Sequence, residues 1–145
     1  MLNAVWVSWV GVSPSVALGQ PLLRSGVAAG FPSPAEGYQW GSLDLNQHLI
    51  QHPAASFWVR VQGDSMVGAG IHDGDLLLVD RALPAEHGSV IIAVVDGGLT
   101  VKRLWKRLGK MQLVSEPTTH SPWEVSSDAT FEVWGVVTHA IHAVR

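Results

Sequence analysis

The sequence predicts a mainly β domain behind a flexible N-terminal arm, and three observations predict it. From Phe57 onward, apolar residues recur with a period of two in runs rich in Val, Ile, Leu and Trp. Turn signals separate those runs: Asp73-Gly74, Glu86-His87-Gly88, Asp96-Gly97-Gly98 and Leu108-Gly109. Residues 1–30, by contrast, carry one charged side chain, Arg24.

The arm comes first. Its run Ala4-Val5-Trp6-Val7-Ser8-Trp9-Val10-Gly11-Val12 is apolar but too short to span a bilayer. A signal peptide would need a positively charged leader ahead of it, and none is there. The expectation is an extended arm that packs on the domain or on a partner. The stretch Gly26-Val27-Ala28-Ala29-Gly30-Phe31-Pro32-Ser33-Pro34 makes a poor helix and a poor central strand. It reads as an accessible linker, which divides the chain into an arm of residues 1–30 and a domain of residues 31–145.

One short helix is expected over Ser42–Gln51, with Leu45, Leu49 and Ile50 on one face, Ser42 as its cap and Pro53 beyond its end. Strands are expected at Phe57–Gln62, Asp75–Asp80, Ser89–Val95, Leu99–Leu108, Lys110–Ser115 and Phe131–Val144. Short strands at this spacing suggest a compact antiparallel sheet or partial barrel.

Composition bounds the function. A chain of 145 residues has room for one domain plus an arm. Its 47% apolar content allows a real core. A net charge of −3 argues against nonspecific DNA binding. The absence of cysteine removes thiol catalysis, disulfides and thiolate metal sites, and is compatible with a cytoplasmic location. No glycine-rich phosphate loop is present, so nucleotide chemistry is not expected, and no cofactor is implied.

Several residues carry candidate chemistry. Ser65 stands in the turn Gly63-Asp64-Ser65-Met66, where backbone N–H groups could hold an oxyanion. It is not the hydrolase nucleophile elbow, because position 67 is Val. Lys102 lies in Leu99-Thr100-Val101-Lys102-Arg103-Leu104-Trp105, where alternation sends either Lys102 or Arg103 toward the core or a cleft. Burial would lower the lysine pKa and free the amine as a general base. Taken alone, a turn serine usually only bonds backbone, and a strand lysine usually keeps its head in water. The stretch Lys102, Arg103, Lys106, Arg107, Lys110 holds five of nine cationic residues and reads as the solvated face of a hairpin. His48 and His52 are four apart but lack a third ligand, and His72, His87, His120, His139 and His142 form no array. A Ser65-His-Asp triad through Asp73 or Asp75 is open on sequence alone.

Taken together, these pieces resemble the LexA/UmuD family of self-cleaving serine peptidases, in its UmuD-like branch. The match runs through Ala29-Gly30-Phe31-Pro32-Ser33-Pro34-Ala35, Leu43-Asp44-Leu45-Asn46-Gln47 and Gly63-Asp64-Ser65-Met66. It continues through Ile71-His72-Asp73-Gly74-Asp75-Leu76-Leu77-Leu78-Val79-Asp80, His87-Gly88, Val95-Asp96-Gly97, Thr100-Val101-Lys102-Arg103-Leu104 and Val133-Trp134-Gly135-Val136-Val137. The resemblance covers about Pro21 to the C-terminus; the first twenty residues do not match the family arm.

It implies a compact β-rich peptidase domain in which Ser65 is the nucleophile and Lys102 the general base. Gly63 and Asp64 then belong to the oxyanion turn, and Ala29-Gly30 is the bond the chain cuts in itself. It further implies stimulation by a RecA–single-stranded DNA filament. The cleaved form would be a homodimer serving a UmuC-like error-prone polymerase in translesion synthesis during the SOS response, with the polymerase sliding clamp as a further partner. Two other classes compete: a non-enzymatic polymerase-accessory module with Ser65 and Lys102 structural, and an exported β domain with a cleaved signal.

Overall fold

The computed structural model describes residues 19–32, 37, 39–118 and 121–145. They fall into two compact units, one within Ser13–Gln51 and one within His52–Arg145. The Trp-rich start of the arm lies outside the described residues.

In the first unit, strand β1 (Gln20–Leu23) pairs antiparallel with β2 (Trp40–Leu43), from Gln20 opposite Leu43 to Leu23 opposite Trp40. The sequence reading expected neither strand. It also started the helix too early. Ser42 belongs to β2, and helix α1 is only Leu45–Leu49. Asp44 caps it instead: its Oδ1 accepts the Asn46 N–H at 3.0 Å, satisfying a donor that the first helical turn leaves free. Ile50 is back in extended conformation and ends the helix. Between the strands, residues 24–32 are irregular and exposed.

In the second unit, a 3-10 turn (Pro53–Ala55) leads into β3 (Ser56–Arg60). A second 3-10 turn (Val67–Ala69) precedes β4 (Leu76–Asp80). Then follow β5 (Val90–Val95), β6 (Gly98–Arg107), β7 (Lys110–Val114), β8 (Trp123–Glu124) and β9 (Phe131–Ile141). They form one antiparallel sheet in the order β3-β4-β9-β5-β6-β7-β8, open at β3 and β8. The fold is mainly β, as expected, and among the described residues no barrel closes. Five of the expected strands match within two residues; the last ends three residues early, and β8 was not expected.

Two hairpin turns follow directly from sequence. Asp96-Gly97 joins β5 to β6 and Leu108-Gly109 joins β6 to β7, all four residues at positive φ. That twist matches the right-handed twist of the flanking strands.

Strand β5 is buried on both faces. Ile92 packs with Val59, Val61, Met66, Ile71, Leu77, Val79 and Val101. Its neighbours Ile91, Ala93 and Val95 pack with Leu104 and Leu113. Adjacent strand residues point to opposite faces, so β5 is shared between two cores. Strand β9 runs beside it and shifts register twice, opposite Leu78/Val79 and opposite Ile92/Ala93. Each shift inserts one residue, Thr138 and Trp134, and bends the strand. Trp134 meets Phe57 edge-on, centroids 6.4 Å apart. Where β9 crosses β4, Gly135 allows the approach: a Cβ there would lie 2.6 Å from Val79 Cγ1 and 3.1 Å from the Asp80 carbonyl oxygen.

Candidate active site

Ser65 lies in the loop between β3 and β4, just before the Val67–Ala69 turn. Met66 anchors that loop as one of the largest fully buried side chains. Backbone bonds close it: Ala69 N–H and Ile71 N–H both donate to the Met66 carbonyl, at 3.0 and 3.2 Å. Asp73 reaches back and accepts the Gly63 N–H on Oδ1 at 2.7 Å. The turn holding the serine is therefore fixed from both sides.

Lys102 sits in β6 opposite Ile91 of β5. Its Nζ is 2.9 Å from Ser65 Oγ. Burial removes water from the ammonium and pushes the Lys102 pKa below its ordinary 10.5. Alternation predicts that one of Lys102 and Arg103 turns inward; both are partly buried. Arg103 forms a two-pronged ion pair with Glu116, through Nε to Oε1 and through Nη2 to Oε2 at 3.3 Å. Its Nη1 donates to the Gly88 carbonyl at 2.6 Å.

Glu116 links that arginine to the serine. Its N–H donates to the Ser65 carbonyl at 2.9 Å, and its own carbonyl accepts the Gly68 N–H at 2.8 Å. Gly68 has no side chain to spare here, since a Cβ would sit 3.1 Å from the Glu116 backbone carbon. So Lys102 touches the serine side chain while Arg103 braces its main chain through Glu116. Sequence reasoning missed Glu116 and Gly68. A lone acid beyond a strand end and a glycine in a turn carry no pattern.

The other sequence candidates go elsewhere. Asp73 accepts from Gly63 and Asp75 is bonded to His142 Nδ1 at 2.8 Å, while among the described residues the side chain on Ser65 Oγ is Lys102 and not a histidine. His52 bonds buried Asp80 at 2.6 Å, while His48 lies in the last turn of α1. The reading that the remaining histidines form no array needs correction: the fold brings His72 and His142 together, ring centroids 4.5 Å apart. The rest of the basic stretch is a solvated hairpin face, as expected. Lys106 donates to the Ala85 carbonyl, Lys110 pairs with Glu124 at 3.5 Å, and Arg107 stacks on Trp105. In the other unit, Ala29 and Gly30 lie in an exposed bend between Val27 (83% exposed) and Phe31 (96% exposed). Among the described residues, no helix is long and apolar enough to cross a membrane.

A serine hydroxyl against an amine of lowered pKa can do the chemistry of a serine hydrolase whose base is a lysine. Residues 21–138 match the Peptidase S24-like family, and the chain belongs to that family. Among proteins it resembles, it is 45% identical to Protein ImpA of Salmonella typhimurium over 127 residues, 87% of this chain and 86% of that one. It is 40% identical to Protein MucA of Escherichia coli over 121 residues, 83% of each. It is also 36% identical to LexA repressor 1 of Xanthomonas campestris, over 87% of this chain but 62% of the repressor. The chain is thus a UmuD-like member of the LexA/UmuD serine peptidases, as its motifs suggested.

Proposed function

We propose that the chain cuts its own Ala29–Gly30 bond, with Ser65 as nucleophile and Lys102 as general base. The observation that carries this reading is the 2.9 Å approach of Lys102 Nζ to Ser65 Oγ by an amine whose burial disfavours its charged form.

Neutral Lys102 takes the Ser65 hydroxyl proton as Oγ bonds to the Ala29 carbonyl carbon. The resulting oxyanion needs N–H donors. With the Gly63 amide committed to Asp73, Gly63 shapes the turn, and the amides of Asp64 and Ser65 are the donors. The Lys102 ammonium returns its proton to the Gly30 nitrogen, which leaves as a free amine. Water then attacks the acyl-enzyme, Lys102 takes its proton and hands it to the departing Ser65 Oγ, and Ala29 is left with a new carboxylate. Because substrate and nucleophile share one chain, effective concentration replaces intrinsic affinity. Small residues on both sides of the bond let the backbone approach closely.

In this reading the cut removes residues 1–29 of the 1–30 arm and leaves Gly30 as the new N-terminus of the peptidase and dimerisation domain of residues 31–145. A RecA–single-stranded DNA filament accelerates the cut by binding the cleavage-competent conformer better than the resting one. The cleaved homodimer then serves a UmuC-like error-prone polymerase, with the sliding clamp as a further contact, in the cytoplasm during the SOS response. The relatives of UmuD type support this assignment.

The test is the intact mass of purified protein after incubation at about pH 10, where a lysine of lowered pKa is neutral far more often than at pH 7. The expected result is a cut between Ala29 and Gly30 in the wild type and none in Ser65→Ala. If neither high pH nor added RecA filament produces the cut, the peptidase reading fails and an accessory module without catalysis takes its place.

A further inference from the structure

Two histidines outside the Ser65–Lys102 contact converge on one buried carboxylate. Asp75 is 2% exposed and uses both oxygens. Its Oδ1 is 2.8 Å from His142 Nδ1. Its Oδ2 accepts the His72 backbone N–H at 2.8 Å and lies 3.7 Å from His72 Nδ1. The two imidazole rings lie 4.5 Å apart at an interplanar angle of 32°. One atom is left over. His72 Nδ1 is buried from solvent and has no hydrogen-bond partner. A buried ring nitrogen without a partner is costly unless something it can bind completes the site.

We propose that His72, Asp75 and His142 form a binding site for a divalent transition cation of the zinc type. The ligand atoms would be Nδ1 of each histidine and one carboxylate oxygen of Asp75. These atoms already lie within 4.8 Å of one another. Tetrahedral zinc bound at roughly 2.0–2.2 Å requires ligand atoms about 3.3 Å apart, so closing the site means drawing the rings in by about an ångström. They can do so, because each side chain is roughly half exposed (45% and 48%) while the carboxylate between them is held fixed. Two imidazoles and one carboxylate favour zinc, nickel or copper over magnesium and calcium, which prefer all-oxygen shells. Binding moves the His142 proton from Nδ1 to Nε2 and leaves the fourth position to water.

The chain brings these ligands together by register. Leu76, the first residue of β4, pairs with Ile141, the last of β9, so Asp75 and His142 flank that pair. His72 comes from the turn before β4, whose backbone bends so that His72 carbonyl accepts the Asp75 N–H at 3.1 Å. A bound cation would therefore tie the C-terminal segment to the loop that also carries Ser65.

The test is titration of zinc ions into metal-stripped full-length protein by calorimetry, with cobalt absorption as a geometric readout. One ion per chain is expected, with a tetrahedral cobalt spectrum and a raised melting temperature. His72→Gln and His142→Gln keep the ring's approximate size. Each should weaken binding by more than the 10–100-fold that losing an outer partner of a metal ligand costs. His139→Gln, outside the cluster, should bind as the wild type does. Absence of saturable binding overturns the proposal. So does equal loss in all three variants, or unchanged affinity in folded His72→Gln and His142→Gln, since either outcome reports scattered histidine binding.

Discussion

The sharpest consequence of the Ser65–Lys102 contact is a pH–rate profile. A lysine at its ordinary 10.5 would be neutral in only about 3 molecules in 10,000 at pH 7. Each unit by which burial lowers that value raises the neutral fraction about tenfold. If the neutral amine is the base, cleavage accelerates about tenfold per pH unit from neutrality and levels off at a pH below 10.5. Lys102→Arg keeps a cation but cannot give up its proton in this range. It should lower the rate by about 100- to 10,000-fold and flatten the profile. The same burial has a stability sign. The unfolded chain binds the lysine proton more tightly than the folded one, so burying the ammonium costs stability at neutral pH. That cost fades as pH rises through the folded value toward 10.5. Lys102→Met should therefore raise the urea midpoint at pH 7 and lose that advantage above 10.5. The assay is loss of intact chain with time across pH 6 to 11, with circular dichroism to confirm that the fold persists. A profile that is flat, or that turns near 6.5 as a histidine would, refutes the argument, as would a Lys102→Arg variant that cuts normally.

Glu116→Gln breaks the fork with half-buried Arg103 and loosens the brace on the Ser65 main chain. Stability should fall by about 1–3 kcal/mol in urea titration, and the cut should slow at least about tenfold with its pH midpoint unmoved. Gly135→Ala drives a methyl into buried Val79 and the Asp80 carbonyl. It should destabilise by about 1–3 kcal/mol, read as a lower melting temperature. Leu108 holds φ +50 with its side chain fully in water, so Leu108→Asn should stabilise by about 0.5–1 kcal/mol in the same melt.

Much of the sheet was legible because its strands advertise themselves locally. Val90–Val95 and Gly98–Arg107 alternate or run apolar, and Asp96-Gly97 between them can adopt the positive φ values a tight hairpin demands. β1 was not legible, since Gln20–Leu23 includes a proline and is mostly exposed, so no buried face marks it. The helix start was misread because Ser42 and Asp44 are both good caps, and only the pairing of β2 decides between them. Ser65 and Lys102 could be named from their motifs, but the distance between them comes from folding. The His72–Asp75–His142 cluster was invisible for the same reason, its outer members being joined only by the pairing of β4 with β9. The bends in β9 at Thr138 and Trp134 leave no local mark either, because one inserted residue looks like any other.

Strands β1 and β2 lie on opposite sides of the Ala29–Gly30 bond, and Leu23 opposite Trp40 closes the loop that contains it. While the chain is whole, the loop keeps the two strands at the millimolar effective concentrations of a short tether. Scission would turn that pairing into an encounter between separate molecules. Four residue pairs with mostly exposed side chains are too little to survive dilution. The departing peptide would carry its new carboxylate away from the new amine, making the event a ratchet that cannot be wound back by resealing the bond. It would also strip β2 of its partner, leaving the N–H and C=O groups that β1 had occupied, with exposed Trp40 at their end, open to a different strand.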